Sequence, residues 1–128
     1  MDDGIYLISR RQSAWKGRGM TILLFIWVHF IGDFLFQTDA MALNKSKNLK
    51  WLGLHALVYA LCFVWCGTLF TIIAGTTHLV VDGITSRGTA HLWQKGKRHW
   101  FFVLIGFDQA IHLSILVCLA NVLPLWWR

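Results

Sequence analysis

The feature that most constrains this 128-residue chain is an apolar run that extends almost without interruption from Trp51 to Ser86, a length of 36 residues. At about 1.5 Å per residue, one helix of this length would be much longer than the roughly 30 Å hydrocarbon core of a bilayer. The run must therefore fold back on itself. Its weakest point is Cys66-Gly67-Thr68, and we expect one helix on each side of this turn.

Two further apolar runs flank this one, so the sequence predicts an all-α, polytopic integral membrane protein with four transmembrane helices. The four-helix domain covers 20–128 and follows a polar, basic tail at 1–19. Tryptophans lie near the predicted helix ends, where aromatic side chains meet lipid headgroups. They are Trp51, Trp100, Trp126 and Trp127. The predicted helices cover about 21–38, 51–66, 69–86 and 101–125.

Composition supports a membrane protein rather than a soluble one. The chain is 56% hydrophobic and only 14% charged, whereas a soluble domain is about 25% charged. This excludes intrinsic disorder and most soluble enzymes. The net charge of +6 comes from basic residues that flank apolar runs, so we expect a lipid bilayer as the partner and no nucleic acid. Three lysines could also bind anionic lipid headgroups: Lys45, Lys47 and Lys50.

The distribution of Lys and Arg predicts the orientation. The loops at 39–50 and 87–99 share one side of a four-helix arrangement and hold seven basic residues, so the positive-inside rule makes both loops cytoplasmic. The basic tail at 1–19 opposes this orientation, and translation from Met20 instead of Met1 would remove the conflict. We expect no signal-peptide cleavage, because no small-residue cleavage site follows the first apolar run.

The predicted helices carry polar side chains that a lipid-facing helix would avoid. Within a helix they recur at steps of four residues, so they stack on one face. Three aspartates at mid-helix would cost on the order of 10 kcal/mol if each faced lipid. We therefore expect them to face the bundle interior, paired or neutralised. The residues are, helix by helix, His29, Asp33 and Gln37; His55; His78 and Asp82; and Asp108, Gln109 and His112.

These polar residues also lie at matching depths. Asp33, His55 and Asp82 are each four or five residues from the helix end beside a basic loop, which is roughly 6–8 Å inside the same membrane face. His29, His78 and Asp108 form a second layer. Three interpretations fit this convergence: hydrogen bonds that hold the helices together, a divalent-metal site, or a proton or ion relay.

The metal hypothesis leads to a specific chemistry. Imidazole and carboxylate ligands suit Zn²⁺ or Mn²⁺, and no Gly-rich phosphate loop indicates another cofactor. The corresponding enzyme would hydrolyse a lipid or a headgroup phosphate, with Asp33, Asp108 and His55 as candidate catalytic residues. The alternative is a non-enzymatic accessory subunit or a proton or ion conduit. Either the enzyme or the non-enzymatic protein could form an oligomer. The predicted metal ligands are His29, Asp33, His78, Asp82, Asp108 and His112.

The motifs resemble those of a known family. The stretch from His29 to Asp39 with its core Gly32-Asp33-Phe34, followed by Met41-Ala42 and Lys45, is similar to the opening motif of small bacterial and phage membrane proteins catalogued as domain of unknown function 3307. The similarity covers about 22–117. The resemblance implies a polytopic protein of the bacterial inner membrane and no established activity. Because the family also includes phage proteins, a phage origin is an alternative. One departure is Thr85, where the family often has Lys. The other matching positions are His55, Tyr59, His78-Leu79-Val80-Val81-Asp82-Gly83, Phe107-Asp108-Gln109 and His112.

Overall fold

The computed structural model describes residues 3–123 and Leu125, and this part of the chain consists of helices and the turns that join them. A π-helical turn at Ile31–Leu35 follows the first helix, and a 3-10 turn at Val64–Cys66 follows the third. The five α-helices are α1 (Asp3–Phe30), α2 (Asp39–Asn44), α3 (Leu49–Leu61), α4 (Thr68–Gln94) and α5 (Arg98–Val122).

Three segments of the described residues are long and apolar enough to cross a membrane: Gly17–Leu35, α4 and α5. The second predicted span, at 51–66, corresponds to α3, which has 13 residues and is shorter than the other three. Large apolar side chains on the outside of these helices are exposed, as they would be against lipid. Examples are Leu23, Trp27, Ile72, Phe102, Phe107 and Val122. The all-helical prediction is confirmed, and the long helices are compatible with membrane spans.

The helix bounds differ from the predicted ones at several points. Helix α1 begins at Asp3, so the backbone of the basic segment before Met20 is helical. Helix α4 continues eight residues beyond Ser86, because its polar last turns contain no Pro and the helix ends only where Gly96 adopts a φ of 70°. The last helix covers Arg98–Val122 instead of the predicted 101–125, and the predictions that concern Trp126 and Trp127 fall outside the described residues.

A tight turn joins α3 to α4 at Cys66-Gly67-Thr68, where the sequence predicts the break between two helices. Gly67 has a φ of 106°, a conformation that an L-residue with a Cβ rarely adopts. The two helices then pack closely, because a Cβ built on Gly75 would lie 2.7 Å from the Cβ of Ala60. Glycine at this position therefore sets the distance between α3 and α4.

The first predicted helix ends earlier than expected, in the π-helical turn. The N–H of Phe36 donates to the carbonyl of Ile31 over 2.9 Å, a five-residue step. Gly32 lets this turn approach α3, since a Cβ there would lie 3.2 Å from Tyr59 and Cys62 atoms. Thr38 then caps α2 by accepting a hydrogen bond from the Met41 N–H. The result is a short helix, α2, that packs on α3 beside the buried face of the bundle.

The buried interior has an apolar end and a polar end. Helix α4 packs against both α3 and α5, and α1 contacts α5. The apolar end lies near the Gly67 turn and is built around stacked aromatic rings, of which Phe25 and Phe70 are 5.5 Å apart. Its buried residues are Phe25, Tyr59, Phe63, Cys66, Phe70, Ala74, Leu116, Ala120 and Leu125. The polar end lies toward α2 and the loops rich in Lys and Arg.

Candidate metal centre

Polar side chains from five helical segments meet in the interior, and α1 contributes His29 to them. The π-helical turn contributes Asp33, α3 contributes His55, and α4 and α5 contribute two His–Asp pairs. Burying them requires compensating partners, since an unpaired charge in a protein interior is strongly unfavourable. The buried polar residues are His29, Asp33, His55, His78, Asp82, Thr85, Ser86, Asp108 and His112.

Four of these residues form what we call the His55 group: Asp33, His55, His78 and Asp82. Each offers one ligand atom, and the four atoms lie within 4.8 Å of one another. The Nε2 atom of His55 is 3.1 Å from Asp33 Oδ1, 3.1 Å from His78 Nε2 and 3.5 Å from Asp82 Oδ2. His78 Nε2 is 3.6 Å from Asp33 Oδ1. The group is therefore compact enough to surround one ion.

Hydrogen bonds alone do not satisfy the His55 group. An imidazole nitrogen carries either one proton or one lone pair, yet His55 Nε2 faces two carboxylates and a second imidazole. The Nδ1 atoms of both His55 and His78 have no hydrogen-bond partner among the described residues. An unpaired buried polar group costs about 1–3 kcal/mol. A cation at the Nε2 atoms would satisfy their contacts with Asp33 and Asp82, and it would leave both Nδ1 atoms unpaired.

Lys45 completes the group in this structure, and the sequence analysis did not place it there. Its Nζ atom lies 3.0 Å from both carboxylate oxygens of Asp82 and 3.4 Å from His55 Nε2. Its side chain is only 15% exposed, so it is not merely a charge at the membrane surface. The signal that could have identified it is its position in the family motif, which includes Lys45.

A second group consists of Asp33, Asp108 and His112, whose ligand atoms also lie within 4.8 Å of one another. Asp108 accepts a 2.6 Å hydrogen bond from the Thr85 hydroxyl. The Nδ1–H of His112 donates to the backbone carbonyl of Asp108 over 3.0 Å, so the Nε2 atom carries the lone pair of a neutral ring. Asp33 belongs to both groups and connects them.

Gln109 links the two groups through hydrogen bonds of defined direction. Its amide N–H groups donate to Asp33 Oδ2 and Asp108 Oδ2, each over 3.0 Å. Its carbonyl must then accept from His29 Nε2 at 2.7 Å, and His29 Nδ1 accepts from the Tyr59 hydroxyl at 3.0 Å. Both ring nitrogens of His29 are therefore engaged.

The structure thus distributes the predicted ligands differently from the sequence hypothesis. His29 lies outside both groups, because Gln109 and Tyr59 occupy its two nitrogens. His55, predicted as a catalytic candidate, is instead at the centre of the larger group. The remaining predicted ligands fall into one group or the other, namely Asp33, His78, Asp82, Asp108 and His112.

A cavity of about 500 Å³ adjoins both groups, and we call it the α2 cavity. Asp33, Asp82 and Asp108 lie on its polar wall, together with Lys45 and Gln109. Lys47 also lines the cavity and is exposed. Its apolar walls come from α2, α4, α5 and the π-helical turn: Phe34, Leu43, Trp93, Phe101 and Ile105. A volume of this size suits a small ligand or a lipid headgroup.

The charged side chains of the site carry a net negative charge. Asp33, Asp82 and Asp108 contribute three negative charges when ionised, and Lys45 contributes one positive charge. With neutral imidazoles the sum is about −2, which one divalent cation would cancel. The stacked rings of Tyr59 and His78, 3.7 Å apart, hold one of the imidazoles in position. The buried His and Asp groups could hold a divalent ion.

Comparison with known proteins gives a family and no function. No curated protein and no solved structure matches the chain significantly. Residues 20–126 match the family described as Protein of unknown function (DUF3307). This match includes all the residues of the two groups, Lys45 and the α2 cavity. The chain therefore belongs to the DUF3307 family.

Proposed function

We propose that this chain is a four-span protein of the bacterial inner membrane that binds a divalent metal ion at the His55 group and hydrolyses a phosphoester of a lipid or its headgroup. The three long apolar helices support three of the spans. With the 3-10 turn, the α3 segment extends from Leu49 to Cys66. At about 1.5 Å per residue these 18 residues reach up to about 27 Å, which is close to the hydrocarbon thickness.

The observation that carries the metal proposal is the spacing of the ligand atoms. Four atoms bound tetrahedrally to Zn²⁺ at about 2.05 Å lie about 3.3 Å from one another. Four of the six separations among the ligand atoms of the His55 group are 3.1, 3.1, 3.5 and 3.6 Å, and all six are within 4.8 Å. Two imidazoles and two carboxylates fit Zn²⁺, and carboxylate oxygens also suit Mn²⁺.

The same ion would supply the chemistry of hydrolysis. A bound divalent ion lowers the pKa of its water and polarises a phosphoryl oxygen. In hydrolysis the water oxygen forms a bond to phosphorus, the bond from phosphorus to the alcohol oxygen breaks, and the water proton is passed on to that alcohol oxygen. Asp108 is the proposed base, because it lines the α2 cavity and is oriented by Thr85 and Gln109.

The position of the cavity supports a substrate from the membrane surface. The residues that line it include the ends of α4 and α5 next to the basic loop at 95–97, and α2 before the basic loop at 45–50. Headgroup phosphates are anionic and lie at this level of a bilayer. The proposal therefore also places both basic loops on the cytoplasmic side, following the positive-inside rule.

A second candidate function is a proton relay without metal. It is favoured by the hydrogen-bond chain from Tyr59 through His29 to Gln109 and the two carboxylates. Ionisable chains of this kind carry protons in membrane pumps. The two functions differ in one measurable property, because only the first requires a bound metal ion.

The test combines metal content with product analysis. Tag-free full-length protein, purified in detergent, should retain close to one equivalent of Zn or Mn per chain by elemental analysis. After reconstitution in vesicles of phosphatidylglycerol and phosphatidic acid, ³¹P NMR should detect hydrolysis products that disappear on chelation and return with the metal. Asp108→Asn should keep the metal and lose turnover. A folded protein without metal that shows proton flux in vesicles would overturn the proposal in favour of the relay.

A further inference from the structure

Lys45 holds a position that a bound metal ion would make unfavourable. A divalent ion on Asp82 Oδ2 would lie about 2.0–2.2 Å from that oxygen, and Lys45 Nζ is 3.0 Å from the same atom. The ammonium would then be within about 5 Å of the ion. Two positive charges at this separation repel strongly where water is largely excluded.

The ammonium of Lys45 therefore needs a new partner when the metal binds. Its side chain is 15% exposed, and an almost buried charge without a counter-ion is costly. Lys45 lines the α2 cavity, which therefore offers open space next to the ammonium. An anion in this cavity could contact both the ammonium and the metal ion.

Two further polar groups of the cavity wall have no partner in the protein. The hydroxyl of Ser86 and the side-chain carbonyl of Gln37 are buried and make no hydrogen bond among the described residues. Both residues line the α2 cavity. Buried polar groups in native proteins nearly always have a partner, so these two indicate a polar ligand. A phosphoester with hydroxyl groups nearby would satisfy them.

We propose that Lys45 exchanges partners: it neutralises Asp82 when the metal is absent and binds the phosphoryl group of the substrate when the metal is present. This inference rests on the proposed function and names a specificity-determining residue for it. The charges identify the substrate class. The three aspartates, Lys45 and a divalent ion sum to zero, so each negative charge of a bound phosphate is left without a balancing charge among these groups. A monoanionic phosphodiester matches this charge better than a dianionic monoester.

The exchange predicts that metal and anion bind cooperatively through Lys45. Zn²⁺ affinity of the full chain in detergent can be measured by competition with a chelating dye, with and without diethyl phosphate. In the wild type, saturating diethyl phosphate should tighten Zn²⁺ binding about fivefold or more. Lys45→Met should bind Zn²⁺ about tenfold more tightly without the anion, and diethyl phosphate should then tighten its Zn²⁺ binding clearly less than in the wild type, since only the direct contact of anion and metal remains.

Lys47→Met is the matched control, because Lys47 lines the same cavity with the same charge but is exposed and makes no contact with Asp82 in the structure. It should keep both wild-type values within about twofold. If Lys45→Met does not fold, Lys45→Gln gives the same comparison, since the amide can still donate to Asp82. Dihexanoyl phosphatidylglycerol replaces diethyl phosphate in a second arm. A larger effect of the lipid would assign the site to a headgroup in the membrane, and equal effects would assign it to the phosphodiester alone.

The outcomes separate this inference from the proposed function. If Lys45→Met binds Zn²⁺ no more tightly than Lys47→Met, or keeps the full effect of the anion, the partner exchange is wrong and the metal site stands. If neither the wild type nor Lys45→Met binds Zn²⁺ or Mn²⁺, the metal site and the exchange are both overturned.

Discussion

The Nε2 atoms of His55 and His78 face each other over 3.1 Å, between α3 and α4. One of them could donate a proton to the other, but both also lie within 3.6 Å of Asp33 Oδ1. A shared proton would leave at least one of these contacts without a hydrogen bond. A shared cation would satisfy all three atoms at once, so this pair is the most sensitive place to test the site.

His55→Ala and His78→Ala should each abolish metal retention, because each removes a nitrogen from the four-atom ligand set of the His55 group. His29→Ala should keep the metal, since its ring nitrogens are bound to Tyr59 and Gln109 instead. Elemental analysis of the three variants makes the comparison. Loss of metal in His29→Ala with retention in His78→Ala would contradict the ligand assignment.

Acidification should release the metal from the wild-type protein. Ligation requires neutral imidazoles and ionised carboxylates, so protons compete with the ion for the same atoms. Metal occupancy should therefore fall as the pH is lowered and recover when it is raised again with metal present. Equilibrium dialysis over a pH series measures this. Occupancy that does not change with pH down to the point of unfolding would argue against imidazole ligands.

Asp82→Ala should destabilise the metal-free protein by about 3–5 kcal/mol, because it leaves the buried ammonium of Lys45 without its partner. Asp33→Ala should have a comparable effect, since His55 and Gln109 lose their acceptor. Cys118→Ala is the control, because Cys118 is exposed. Unfolding in detergent followed by circular dichroism gives the free energies. Equal stability of the three variants would mean that the carboxylates are not part of one buried network.

The parts of the site that could be predicted follow from periodicity and depth. Helical steps of four residues place His78 with Asp82 and Asp108 with His112 on common faces. Equal distance from the loops aligned Asp33 with His55 across two helices, and the structure has them in contact. Both arguments need only the rise of a helix and the high cost of carboxylates in lipid.

The parts that could not be predicted depend on local geometry that the hydropathy pattern does not contain. The π-helical turn at Ile31–Leu35 changes the direction in which Asp33 points, and a pattern with a period of 3.6 does not reveal it. The short helix α2 folds back toward the bundle, which brings Lys45 into the site, whereas the sequence predicts it in a cytoplasmic loop beside lipid headgroups. His29 shares the spacing of the ligands, and only its contacts separate it from them.

The four-span arrangement predicts that Ser46 and Gly96 lie on one side of the membrane and Thr68 on the other. Single cysteines at these positions, in a variant without the three native cysteines, can be labelled with a membrane-impermeant maleimide in intact cells and in inverted vesicles. Thr68→Cys should react in intact cells, and the other two only in inverted vesicles. If positions 46 and 96 react from opposite sides, the chain does not have four spans.

The close approach of α3 and α4 makes Gly75 a sensitive position for the whole site. A Cβ at Gly75 would lie 2.7 Å from the Cβ of Ala60, so Gly75→Ala must push the two helices apart. Overpacking of this kind costs about 1–3 kcal/mol. The separation of His55 and His78, one on each helix, would increase as well, and metal affinity should fall together with stability.

Gly53→Ala is the matched control for Gly75→Ala, because nothing lies within 4 Å of a Cβ at Gly53 in the same helix pair. Alanine is the better helix former by about 1 kcal/mol, so this variant should be as stable as the wild type or slightly more stable. Its metal affinity should not change. Unfolding and Zn²⁺ titration of both variants test the relationship: if Gly75→Ala lowers stability but leaves Zn²⁺ affinity at the wild-type value, the spacing between α3 and α4 does not control the ligand geometry.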